Sequence, residues 1–202
     1  MSQNIASNTY KVYENATRDE MLPFVPVGSR FILDIGCSVG NFGSLLKEAR
    51  RAEVWGVEID ERSAEIASAR LDKVLTGAFD RNLELPAQAF DCIVFNDVLE
   101  HMVDPYSALE YAKELLSEDG CVVASIPNVR YFGNVWLMLV HGSWEYQDSG
   151  ILDRTHLRFF TQKSIQAMFA DQGYEIENIH GINSLEVCDR YFRNKFKILN
   201  TI

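Results

Sequence analysis

Two carboxylates and one glycine-rich turn offer the clearest chemistry in this sequence. A short apolar run, Phe31 to Ile35, leads into Asp34-Ile-Gly36-Cys37-Ser38-Val39-Gly40-Asn41-Phe42-Gly43, and the next apolar run ends at Glu58. An acid just before such a turn repels phosphate and attracts an ammonium group. An acid at the end of the following strand can accept hydrogen bonds from both hydroxyls of a ribose. Three readings of the turn compete. Gly36-Cys37-Ser38-Val39-Gly40 matches the G-x-S-x-G of a nucleophile elbow, but that site needs strands and an oxyanion loop ahead of it, and little chain precedes Ser38. A dinucleotide turn needs glycine where Ser38 stands, so that backbone can approach a pyrophosphate; Tyr191 and Lys195 have the Y-x-x-x-K spacing of some dehydrogenases but fall too late in the chain. The third reading is a nucleoside ligand with an amino-acid tail and no pyrophosphate, which would use both Asp34 and Glu58.

Four histidines are available. His101 follows the fourth apolar run, and His156 lies in the polar segment Asp153-Arg154-Thr155-His156-Leu157-Arg158. Histidine is the commonest proton acceptor for a hydroxyl. His101, His156 and Asp153 are therefore the catalytic candidates, and Arg154 and Arg158 the candidates for holding a substrate. The competing readings are a salt-bridged loop for the 153–158 cluster and a pocket-shaping residue for His101. His141 and His180 lack such a context and read as surface residues. Trp136, Trp144 and Tyr146 suit stacking on a sugar face, and equally the core of a loop or a subunit contact. Cys37, Cys92, Cys121 and Cys188 form no C-x-x-C pair, so neither a zinc knuckle nor a disulfide framework is expected, and no metal site is expected.

These residues need elements to position them. Apolar runs predict strands at 31–35, 53–57, 73–76, 90–95 and 120–126, and the alternation of 174–182 predicts a sixth. Helices are expected at 41–51, with Asn41 as N-cap, at 61–71, at 105–116 with proline in the first turn, and at 162–172, ended by Gly173. A short helix over 17–24 should end at the Pro23/Pro26 pair. A further helix at 185–199 and a weak last strand at 196–202 complete the pattern. Strands alternating with helices predict an α/β, doubly wound, mainly parallel sheet. Ligands bind such sheets at the carboxyl ends of the strands. The aromatic-rich segment 128–160 breaks the rhythm as a cap insert, and long connections are usually functional.

The motifs, taken in order, resemble those of class I SAM-dependent methyltransferases (SAM, S-adenosylmethionine). Phe31 to Gly43 is similar to the first motif, and Trp55-Gly-Val-Glu58-Ile59-Asp60 to the second, with Glu58 at the ribose-binding acid. Phe90-Asp-Cys-Ile-Val-Phe-Asn96-Asp97-Val-Leu-Glu-His101 resembles the fourth-strand motif, and 115–125 the fifth-strand region. The resemblance implies SAM as cofactor and S-adenosylhomocysteine as product. It implies a cofactor site of Asp34, Gly36, Cys37, Gly40, Phe42, Glu58, Ile59, Phe79, Asp80, Asn96 and Asp97. One departure is Gly77-Ala78-Phe79-Asp80, where the family usually has Gly-Asp: Ala78 takes the acidic place, and Asp80 or main-chain groups would serve the adenine. Phe79 either packs on the adenine or joins the core. The insert, with Arg130 and Tyr131 as further substrate candidates, resembles the subgroup found beside glycosyltransferases in bacterial surface-polysaccharide biosynthesis. Methyl transfer to a small-molecule or carbohydrate-type acceptor, at oxygen, is the expectation. A SAM-binding regulatory protein without turnover and an NAD-dependent oxidoreductase are the alternatives.

The composition agrees. The chain has 202 residues, 19 Lys+Arg against 29 Asp+Glu, a formal charge of -10, and 47% hydrophobic residues. Such an acidic chain lacks the basic face that binding nucleic-acid phosphates requires. The longest apolar run, 135–140, is far shorter than a bilayer-spanning helix, and no signal peptide is visible. A cytoplasmic domain is expected: 1–30 an arm and short helix, 31–127 the cofactor core, 128–160 the cap, 161–202 a closing segment. The reading leaves open a homodimer, and a longer natural protein of which this chain is a part.

Overall fold

The computed structural model describes residues 17–182. Five strands, β1 (Phe31–Ile35), β2 (Glu53–Glu58), β3 (Lys73–Thr76), β4 (Phe90–Asn96) and β5 (Leu116–Ser125), form one sheet in the order β3-β2-β1-β4-β5. Every pair is parallel. The expected α/β sheet is observed, and its order reverses between β1 and β4, where open parallel sheets bind ligands.

The two-residue period of β1 sorts its side chains between two cores. Ile32 joins Val54, Cys92 and Val94 beneath helices α1 (Asn41–Arg50) and α2 (Glu61–Ser68). Leu33 and Ile35 join Ile93 and Phe95 on the other face, under α3 (Pro105–Leu115) and α5 (Gln162–Asp171). Asp34 shares the face of Ile32, so the strand period itself aims this acid toward the α1 side.

Helix starts are fixed by caps. The Asp60 side chain accepts from Ser63 N, Asp104 accepts from Tyr106 N and Ser107 N, and Thr161 with Ser164 forms a capping box. Each such cap contributes about 1 kcal/mol. Helix α1 departs from expectation: Gly40, left-handed at φ 79°, is its N-cap, and Asn41 is the first helical residue. The short helix expected over 17–24 is a 3-10 helix over Asp19–Phe24, with Pro23 inside it and its end just before Pro26. β5 starts at Leu116, earlier than expected, with a bulge between the Phe90–Leu116 and Cys92–Cys121 pairs.

The sixth strand is a correction. Among the described residues no strand follows β5; 174–182 has no ladder partner, and 175–181 are all exposed. Alternation without a neighbour to hydrogen-bond or a face to cover gives no strand. The expected helix at 185–199 and strand at 196–202, with Cys188, Tyr191 and Lys195, lie outside the described residues. The insert carries a helix the sequence reading did not assign, α4 (Phe132–His141), and the bridge Asn128–Phe160 closes the insert's base. Among the described residues no helix is long and apolar enough to cross a membrane.

Candidate functional site

The register gathers the candidate residues at one end of the sheet. Asp34 lies level with Gly56 of β2 and Val94 of β4, Glu58 ends β2, and Asn96 of β4 pairs with Ser125 of β5. The turn after β1 is built by its backbone: the Gly36 and Cys37 N–H groups donate to Val57 O, and Gly40 N–H donates to Cys37 O. Gly36, Ser38 and Gly40 all have positive φ, at 66°, 48° and 79°. At Gly36 a Cβ would come within 2.6 Å of Val98 Cγ2, so the turn and the segment after β4 are in direct contact. Ser38, in the left-handed region without being glycine, holds a sparsely populated conformation, the kind of strain that clusters at ligand sites.

Glu58 is pre-set. Its Oε2 accepts from Ser38 N–H at 2.8 Å and its Oε1 from Asp60 N–H at 2.9 Å. Each oxygen keeps a lone pair for a further donor. Asp34 is the opposite case: it is 2% exposed, and its Oδ2 has no hydrogen-bond partner. Burial first, and then the charge of Glu58, push its carboxyl up to about 7. A buried acceptor left unpaired beside a second carboxylate calls for a cation with N–H donors.

Across the switch point, Asp97 is also left-handed, at φ 54°. Its N–H donates to Ser125 O and Oγ, both at 3.1 Å, and its Oδ1 accepts from Ser125 Oγ. Arg18 closes this group as a clasp, with Nη2 2.9 Å from Asp97 Oδ2 and 2.8 Å from Ser125 Oγ. Both polar atoms of the buried Asn96 amide lack partners. A 3-10 turn, Leu99–His101, then carries Glu100 inward, 1% exposed, with neither carboxylate oxygen paired. Burial, then Asp97, push its carboxyl up to about 8.

The insert meets this turn. Leu157 N–H and Arg158 N–H donate to Glu100 O at 2.8 and 3.0 Å. The His101 and His156 rings lie 4.7 Å apart, edge to face. His101 Nδ1 lies 3.2 Å from both Thr155 O and Thr155 Oγ1, and Thr155 Oγ1 donates to Asp153 Oδ1 at 2.6 Å. Since a carbonyl only accepts, and Thr155 spends its proton on Asp153, His101 Nδ1 carries the hydrogen and Nε2 the lone pair. His156 Nδ1 in the same way donates to Ile151 O at 3.1 Å. Burial first, and then His156, hold the His101 pKa below its usual value, so the neutral ring is favoured.

The other candidates separate. Cys37 and Phe42 bury their side chains in the α1–α2 core, leaving only their backbone at the turn, and burial raises the Cys37 thiol pKa far above its usual range. The Phe79 ring packs on Phe95 and Tyr111 at 5.8 and 5.0 Å, which is its core role. Asp80 is exposed and accepts from Asn82 N–H; Ile59 is exposed. Arg154 turns outward to Asp148, and Arg158 to Val103 O, so the 153–158 cluster splits: its acid and histidine go in and its arginines stay out. Arg130 N–H donates to Asn128 Oδ1, and Tyr131 is the N-cap of α4. Trp144 and Tyr146 pack around Phe159. Sequence reasoning gave no role to Arg18, Glu100, Ser125 and Thr155; the one visible signal was Glu100 directly beside His101.

Residues 14–179 match the family described as methyltransferase domain. The ubiquinone biosynthesis O-methyltransferase of Psychrobacter arcticus is 27% identical over 175 residues, 80% of this chain and 65% of its own length. The enzyme of the same name from Pseudomonas aeruginosa is 30% identical over 174 residues, 79% and 71% of the two chains. Among solved structures, a SAM-dependent methyltransferase of Thermotoga maritima superposes with a TM-score of 0.62 at 24% identity, covering 86% of this chain and 78% of that one. One from Mesorhizobium loti gives 0.63 at 19% identity, covering 88% and 90%. At these identities the structural likeness is one of fold.

Proposed function

The chain belongs to the SAM-dependent methyltransferase-domain family, and from that premise we propose that it moves a methyl group from SAM to a hydroxyl oxygen of a small acceptor with an apolar body. The observation that carries this is the unpaired, buried Asp34 Oδ2 standing beside the pre-set Glu58. SAM offers an ammonium group to the first and ribose hydroxyls to the second, so the residues present fit the cofactor. Gly36 packs against Val98 with no room for a side chain of its own, so the turn there is backbone alone. Gly40 and the main chain of Cys37 complete the turn, with Asn96 and Asp97 as the opposite wall. Asp80 and Ile59, exposed at the strand ends, border the adenine side.

SAM supplies an activated methyl group, and the protein supplies alignment and exclusion of water. Holding two reactants in line contributes about 7–11 kcal/mol. The acceptor hydroxyl meets the Nε2 edge of His101 and His156, where its oxygen sheds a proton. Asp153 acts through Thr155, which fixes the His101 tautomer. Arg130, Tyr131, Arg154 and Arg158 border the insert side of the mouth.

Two things support an apolar body. The relatives carry names from ubiquinone biosynthesis, and α4 buries none of its residues while exposing Phe132, Trp136, Leu137, Leu139 and Val140. The polysaccharide role expected from sequence has no support from these relatives, and Trp144 and Tyr146 are already engaged with Phe159. The test is turnover of SAM with two acceptor panels, dihydroxyphenols bearing an apolar tail and nucleotide sugars. S-adenosylhomocysteine release with the first panel is expected. Release with the second alone overturns the acceptor class, and failure to bind SAM overturns the whole reading.

A further inference from the structure

Glu100, His101 and His156 present one ligand atom each, all within 4.8 Å of one another. Their arrangement is difficult to explain as packing. Glu100 is 1% exposed and both its oxygens are without a hydrogen-bond partner. A buried carboxyl with neither oxygen paired is unfavourable in either protonation state, and the nearest side-chain partner, His156 Nε2, stands 3.9 Å from Oε1. Asp97 and, more weakly, Asp153 add to the negative potential there, and Arg18 offsets part of it. Both imidazoles have Nδ1 occupied by a backbone carbonyl, which leaves Nε2 of each as a lone pair. That is how metal-binding histidines are oriented: the ring nitrogen away from the metal donates to a carbonyl or carboxylate, and the bond fixes the tautomer. The backbone is tied as well, because Glu100 O holds Leu157 N–H and Arg158 N–H and so locks the insert's histidine against the turn after β4.

We propose that Glu100 Oε1, His101 Nε2 and His156 Nε2 hold one divalent transition-metal cation of the zinc class. Two imidazoles and one carboxylate are the donor set for such ions, whereas Mg2+ prefers all-oxygen surroundings. Zinc–ligand bonds of about 2.0–2.2 Å bring the three atoms onto one ion after small side-chain closure. Three protein ligands leave a coordination position open, the mark of a working rather than a structural site. The Val98 side chain, two residues before Glu100, touches the SAM-side turn at Gly36, so the segment that carries Glu100 and His101 also meets that turn. This role rests on the function proposed above, with the ion taking the Nε2 edge that the acceptor would otherwise meet: the acceptor hydroxyl would occupy the open position and give its proton to water, and its oxygen would receive the methyl group as the carbon–sulfur bond breaks.

The test uses the chelator-stripped full chain. Co2+ is titrated by visible absorption and Zn2+ by competition with a chromophoric chelator, and SAM binding is measured calorimetrically on the same samples. One equivalent of Co2+ is expected, with the spectrum of nitrogen and oxygen ligands and no thiolate band. Glu100→Gln and His156→Gln should each lower affinity by at least about tenfold while SAM still binds. Where a buried substitution fails to fold, His101→Gln, at the edge of the site, takes its place with the same expected loss. Absence of stoichiometric binding in the wild type, or unchanged affinity in the folded variants, overturns the site. Co2+ binding without SAM binding would instead sink the methyltransferase reading and leave the ion site standing.

Discussion

Asp34 and Glu58 do opposite things with similar chemistry. Glu58 has both oxygens anchored to backbone N–H groups, so its orientation exists before any ligand arrives. Hydrogen bonds to charged groups contribute about 1.5–3 kcal/mol each, and Glu58→Ala also frees the Ser38 and Asp60 amides. Calorimetry on Glu58→Ala should therefore show SAM affinity reduced by at least about tenfold; unchanged affinity removes Glu58 from the ribose. Asp34 is held unpaired, with its folded pKa raised to about 7 from 3.8. A carboxyl raised in this way favours the native state below its unfolded pKa, and that contribution is lost as pH rises through the folded value. The melting temperature of the cofactor-free wild type should thus fall, relative to Asp34→Asn, between about pH 4 and 7. SAM affinity should move the other way, strengthening as pH rises through 7 in the wild type and staying level in Asp34→Asn. Parallel pH profiles for the two proteins would contradict this assignment. These two acids were legible in the sequence because each sits alone at the end of an apolar run. Glu100 was not, because an acid beside a histidine has no period or spacing that separates a buried ligand from a solvated charge.

At the scale of elements, the strands and helices up to α3 were readable because burial on two faces forces apolar runs and caps force their boundaries. The errors have physical causes. Asn41 has a side chain that suits an N-cap, yet the chain reaches α1 through a left-handed turn that Gly40 adopts without strain. The alternation at 174–182 has the period of a strand, but period alone cannot report whether a neighbouring strand exists. The apolar α4 is not legible in the sequence because its apolar residues do not face a core: Leu139 is 74% exposed. Leu139→Gln should therefore change stability by less than about 0.5 kcal/mol in chemical denaturation. Gly56→Val should be costly. A Cβ there would stand 2.6 Å from Cys37 Sγ and 2.8 Å from Leu71 Cδ1, and overpacking costs about 1–3 kcal/mol. Because the displaced group is Cys37, in the SAM-side turn, SAM affinity should fall in the same variant.

The whole molecule concentrates its chemistry where the sheet order reverses, and there two buried carboxyl groups keep unpaired oxygens, Asp34 at Oδ2 and Glu100 at both. A ligand that binds only the native state at about 100 times its dissociation constant adds about 2.7 kcal/mol. For a chain of this size, saturating SAM should raise the melting temperature by roughly 5–10 °C, with no rise for NAD; a rise with NAD alone would overturn the cofactor. The general plan of this molecule was readable from ordered motifs, while the closing of the site by the insert was not, since no local pattern pairs 153–158 with Glu100. The clasp from Arg18 to Asp97 and Ser125 joins parts of the chain 107 residues apart across the edge of the crevice, outside either apolar core. Loops closed over such separations by a few polar bonds open locally long before the sheet does. In native-state hydrogen exchange, the Asp97 amide, held only by Ser125, should exchange through a low-energy opening, while Ile93 and Val94 exchange only with global unfolding. The protein would then breathe at the rim where a substrate enters, with its foundations undisturbed.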